Sequence, residues 1–138
     1  MIFQAASAIP SALTLIIDPS GGIIDLPLSH LEHSPFHDFL IPGLFLFIIL
    51  GIVPAITAIG LIKPFRFKLF EFLNYYNDQH WSWTFSYYTG IVLIMWINIQ
   101  LMMIREWDFL HLIYSVLGLT IIILVQLPSL KNALSTKN

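Results

Sequence analysis

The chain has 138 residues, of which 57% are hydrophobic and 10% charged. A typical soluble domain carries about a quarter charged residues, so lipid suits this chain better as a solvent than water does. Its net charge of −2, with six Lys and Arg scattered along the length, leaves no basic patch and excludes a nucleic-acid binder, and the absence of cysteine removes disulfides, thiolate catalysis, Cys-ligated zinc and iron–sulfur clusters together.

The first apolar stretch covers residues 2–17. Nothing before Asp18 is a Lys or Arg, so it lacks the basic start of a secretory signal and reads as a retained span. It is short against the roughly 20 residues that cross a bilayer core, and Pro10 bends it. Asp18-Pro19-Ser20-Gly21-Gly22 ends it with turn chemistry. Residues 18–38 then form a loop with Asp18, Asp25, Glu32 and Asp38 and no Lys or Arg. Leu26, Leu28 and Leu31 place part of this loop on the membrane surface. Ser34 as a cap and Pro35 at a first helical position predict a helix start.

The second span, residues 39–62, has no charge. Pro42 and Pro54 bend it, and Gly51-x-x-x-Ala55 is a small-residue pair suited to a close helix contact. Lys63, Arg66 and Lys68 follow at the membrane interface. Residues 65–80 mix aromatic and polar side chains and predict an interfacial helix. Trp81 and Trp83 mark the headgroup level. The third span is 83–104, the turn at 105–108 is tight, and the fourth span, 109–127, is stopped by Pro128. A polar tail carries Lys131 and Lys137. The expected fold is all-α: one domain over residues 1–138, an integral membrane bundle of four transmembrane helices.

Orientation follows from the cations. With both ends in the cytoplasm, Lys63, Arg66, Lys68, Lys131 and Lys137 lie inside and only Arg105 lies outside, as the positive-inside rule requires.

Polar groups inside lipid are the candidate functional positions. Asn98 lies about 22 Å along the helix from Trp83, in the outer leaflet, at the depth of His111 in span four. Asn98 and Gln100 are about 200° apart around the helix, and Gln100 shares a stripe with Trp96, Met103 and Trp107. Asn98, Gln100 and His111 are therefore the expected ligand-binding residues, in a small wet pocket under the outer loop. The plainer account is interhelical hydrogen bonds of about 0.6 kcal/mol each. A second constellation is His30, His33 and His37, whose spacing shares one helical face and suits a metal or haem iron, although Pro35 interrupts that helix. Asp78 and His80 form a conceivable acid–base pair with no nucleophile beside them.

Several of these segments resemble a group of small bacterial four-helix membrane proteins. They are Asp18-Pro19-Ser20-Gly21, Leu26-Pro27-Leu28, Ser34-Pro35-Phe36, Asp38-Phe39-Leu40-Ile41-Pro42-Gly43, His80-Trp81-Ser82-Trp83-Thr84, and Trp96-Ile97 with Gln100. The resemblance covers nearly the whole chain. It implies four spans in a bacterial inner membrane and names no reaction. Members carry a longer first helix, so it also implies that Met1 lies inside that helix. The group's pattern does not call for histidines at 30, 33 and 37.

The functional expectation is a non-enzymatic accessory protein or a lipid- or small-molecule-binding bundle, with no cofactor. Its partners would be membrane lipids, and a protein partner or second copy on small-residue helix faces. The alternative is an extracytoplasmic metal- or haem-binding protein using the loop histidines. A membrane enzyme is weakest, since no span carries a carboxylate.

Overall fold

An apolar segment in hydrocarbon must bond its own backbone, and helices do so within one segment. The computed structural model, which describes residues 1–136, is helical along every long apolar run. Helix α1 is Ile2–Ile17, α2 is Leu40–Ile62, α3 is Lys68–Phe72, α4 is Trp81–Ile104, α5 is Phe109–Gln126 and α6 is Pro128–Ala133. Three of them, α2, α4 and α5, are long and apolar enough to cross a membrane. Helix α1, at 16 residues, is apolar but spans only about 24 Å of the roughly 30 Å core. Among the described residues the only strand-like pairing is one bridge, Gln79 with Ser135.

Two expected starts are corrected. Ser34 caps no helix: its hydroxyl donates to the Leu31 carbonyl at 2.9 Å and accepts from the Phe36 N–H at 3.2 Å. That local turn competes with a helix, and α2 begins only at Leu40, whose N–H is met by Asp38 Oδ1 at 3.0 Å. The interfacial helix expected over 65–80 shrinks to the five residues of α3. Asn74 accepts from the Tyr76 N–H at 3.2 Å, an Asx turn that diverts the chain. The rings of Phe67 and Phe70 turn inward, with Phe70 stacked on Phe85 at 4.2 Å and edge-on to Trp81 at 5.1 Å.

Helix α1 lies along α2, α2 contacts α4, and α4 packs along α5. Gly51 sits in a π turn, Ile48–Ile52, and a Cβ there would come within 2.8 Å of Ile9 of α1. Gly90 and Gly118 face each other where α4 crosses α5, each 3.0–3.1 Å from the other's carbonyl oxygen when given a Cβ. The 18–39 loop is mostly exposed but is anchored inward. Its Leu31 and Phe39 are buried with Leu15 and Met103, closing one end of the bundle. At the other end the tail is tied down: the His80 N–H donates to the Leu134 carbonyl at 2.8 Å and the Thr136 N–H to the Asp78 carbonyl at 3.0 Å. Lys137, counted above for orientation, lies outside the described residues.

Candidate functional site

Three of the seven buried polar side chains among the described residues close on their own helix. Ser86 Oγ donates to the Ser82 carbonyl at 2.7 Å, Thr89 Oγ1 to the Phe85 carbonyl at 2.7 Å and Thr57 Oγ1 to the Val53 carbonyl at 2.8 Å. Such hydroxyls ask nothing of a ligand.

Gln4 and Trp96 differ. Gln4 is 1% exposed, on the face of α1 turned toward α2. Pro54 has no N–H and cannot bond the Leu50 carbonyl four residues back. Gln4 Nε2 approaches that carbonyl at 3.5 Å, and among the described residues its Oε1 has no hydrogen-bond partner. Trp96 is 8% exposed, with its indole stacked on Phe45 at 4.6 Å between ring centres. Its Nε1–H likewise has no partner among the described residues. A buried polar group without a partner costs about 1–3 kcal/mol.

Both residues line one cavity of about 180 Å³ between α1, α2, α4 and α5. Leu46, Leu50 and Leu93 give it apolar walls, and Ser7, Ser11, Gln100 and Tyr114 add polar edges. Among the described residues no histidine or charged side chain lines it. A smaller space of about 60 Å³ shares Leu46, Trp96 and Gln100 and continues toward Leu31 and Phe39 under the loop. The open side lies between α1 and α5, which do not pack along their length. Ser11 and Leu110 flank it and are exposed, while the Phe3 and Tyr114 rings, 6.5 Å apart, close its end. The result is a lateral slot.

Of the three residues expected to form the pocket, only Gln100 lines it. Asn98 is exposed, and its amide donates to the Ile94 carbonyl at 2.8 Å, one turn back. His111 caps α5: its Nδ1 accepts the Asp108 N–H at 3.2 Å, and Asp108 Oδ1 accepts the Leu110 N–H at 3.1 Å. His111 borders a separate shallow depression with His30, Glu106, Trp107 and Asp108. There His30 Nε2 stands 3.9 Å from Glu106 Oε2. His33 and His37 are exposed in the loop. Among the described residues no three His, Asp or Glu side chains group as metal ligands, so His30, His33 and His37 are not brought together. The turn at Ser34 and Pro35 ends the helical spacing that would have aligned them.

Trp81 and Trp83, expected at the headgroup level, face neighbouring helices. They are 1% and 5% exposed, inside the bundle. Trp81 Nε1 donates to the Phe65 carbonyl at 2.7 Å and Trp83 Nε1 to the Val125 carbonyl at 2.8 Å. His80 caps α4, accepting the Ser82 N–H at Nδ1, with Nε2 at 3.2 Å from the Phe65 carbonyl. Lys63, Arg66 and Lys68 are exposed, and Arg66 pairs with Glu71 at 3.4 Å.

Gln4, Ser7 and Ser11 were not singled out in the sequence. A signal existed: they recur at positions i, i+3 and i+7 of an otherwise apolar helix, a polar stripe on one face. Trp96 and Gln100 were placed on one stripe, yet which of its polar atoms lacks a partner depends on the neighbouring helices. Compared with known protein families, with curated proteins and with solved structures, the chain matches none.

Proposed function

We propose that the protein is a four-span bundle of the bacterial inner membrane, with both ends cytoplasmic, that binds an uncharged lipid-soluble molecule in the slot and does not react with it. One observation supports this reading: Gln4 and Trp96, whose Oε1 and Nε1–H are buried without a hydrogen-bond partner among the described residues, are both lining residues of the same mostly apolar cavity. Ligand sites have that composition, apolar walls with a few fixed polar groups. The slot's open side between α1 and α5 faces where acyl chains lie in a four-span arrangement, so the ligand arrives from the bilayer. Among the described residues the slot's hydroxyls, on Ser7, Ser11 and Tyr114, share it with no carboxylate, histidine or lysine that could activate them, which favours a binding or accessory role. The excess of cations at Lys63, Arg66, Lys68, Lys131 and Lys137 supports the orientation.

Native mass spectrometry of the protein released from lipid nanodiscs tests the reading. The unaltered chain should carry a neutral lipid-soluble adduct. Ser7→Phe, which fills the slot, should lose it at unchanged helix content. Spectra showing only the bare protein in both cases would overturn the proposal.

A further inference from the structure

We infer that the slot takes the hydroxyl end of a single-chain lipid alcohol. This rests on the binding role proposed above and narrows it to one head-group chemistry.

The two unmet atoms set the requirement. The Leu50 carbonyl accepts only, so the Gln4 amide turns its NH₂ toward it and leaves Oε1 without a donor. The Trp96 indole N–H is a donor only and lacks an acceptor. A matching occupant must both donate one hydrogen bond and accept one. A hydroxyl does both. An ether, ester or ketone accepts and leaves Gln4 Oε1 unmet. A carboxylate or phosphate would bring charge into a slot that holds no cation among the described residues, at a desolvation cost nothing there offsets.

The rest of the occupant follows from shape. A space of about 180 Å³ is close to a cavity that accommodates benzene, about 150 Å³. It holds a hydroxyl and a few methylenes against Leu46, Leu50 and Leu93, and the remaining chain must leave sideways between α1 and α5. Water also donates and accepts, but those leucine walls give most of the volume nothing for water to bond. Both unmet atoms are sealed from solvent, so the head group reaches them as α1 and α5, which meet through the Phe3 and Tyr114 rings but do not pack along their length, separate.

The test places the whole protein, with ¹⁵N-labelled indoles, in phosphatidylcholine nanodiscs and titrates three probes of equal chain length: dodecanol, dodecyl methyl ether and dodecane. Trp96→Phe identifies the Trp96 resonance. Dodecanol should shift that resonance, slow its exchange with water and bind about tenfold more tightly than the ether, the worth of one hydrogen bond. Dodecane should bind weakest. Gln4→Leu should bring alcohol and ether to near equality, and Gln4→Met serves if the leucine variant does not fold. Equal binding of alcohol and ether by the unaltered protein would overturn the hydroxyl assignment and leave the slot as a lipid site. A Trp96 resonance indifferent to all three probes would overturn the assignment and the binding role together. An indole that exchanges with water equally fast with and without dodecanol would make the slot a water site and overturn the inference.

Discussion

Gly60 stands where any side chain would start inside an indole. A Cβ there would lie 2.4 Å from Cη2 and 2.7 Å from Cζ2 of Trp81. Trp81 cannot retreat cheaply, being 1% exposed, bonded to the Phe65 carbonyl and edge-on to Phe65 and Phe70. Gly60→Ala should therefore cost about 1–3 kcal/mol as overpacking, read as a lowered Tm in detergent; an unchanged Tm would mean the indole moves freely. Asp18 gives a residue-level prediction of another kind. Its carboxylate accepts from the Ser20 hydroxyl, the Ser20 N–H and the Ile23 N–H, and the Ser20 hydroxyl first, then these backbone bonds, hold its pKa below the ordinary carboxylate value. A group whose folded pKa is depressed stabilises above its ordinary pKa and loses that contribution as pH falls through the lowered value. The turn after α1 should thus stay ordered from neutral pH down to the ordinary carboxylate range and loosen below it. Amide exchange at Ser20 and Ile23 measures this, and Asp18→Ala should give the loosened state at every pH. Equal protection in the variant would remove Asp18 from the account of the turn.

At the scale of elements, small residues decide how closely helices approach. Without a hydrophobic force between helices in lipid, association depends on such close packing. The Gly51 position was legible in the sequence as half of a small-xxx-small pair, and it does meet Ile9 of α1. Gly90 and Gly118 were not, because their pairing exists only across the α4–α5 crossing. Gly118→Leu should drive a side chain into Ile94 and the Gly90 backbone, costing at least about 1–3 kcal/mol. Gly51→Leu should lift α1 from α2, with a similar loss of Tm and also a weakened hold on any slot occupant, since Gln4 rides on α1. If Gly51→Leu lowered Tm but left dodecanol binding intact, the slot would not depend on the α1–α2 contact. The short α3 marks where helix prediction failed. The mix of aromatic and polar residues over 65–80 suited an interfacial helix, yet Phe67 and Phe70 pack on Trp81 and the Asx turn at Asn74 ends the helical run.

For the whole molecule, the testable quantity is topology. A reporter fused after Asn138 should be active only in the cytoplasm, and one inserted near Gly22 only outside. A cytoplasmic signal from the Gly22 insertion would mean that α1 does not cross, which its length of 16 residues makes the sharpest point to test. The helical class, the three long apolar helices, the turns at 18–22 and 105–108 and the end of α5 before Pro128 were all set by the sequence itself. Apolar length, Gly and Pro act locally, and an apolar run of 18 or more residues bonds its whole backbone within one segment as a helix. Tertiary structure alone decided the site. Whether Asn98, Gln100, Gln4 or Trp96 needs a partner depends on which carbonyl or ring the neighbouring helix puts beside it. Asn98 is met by its own helix, while Gln4 Oε1 and Trp96 Nε1–H are buried without a partner among the described residues. A side chain's type states what bonds it can make; only the arrangement of the other helices states which of them are already made.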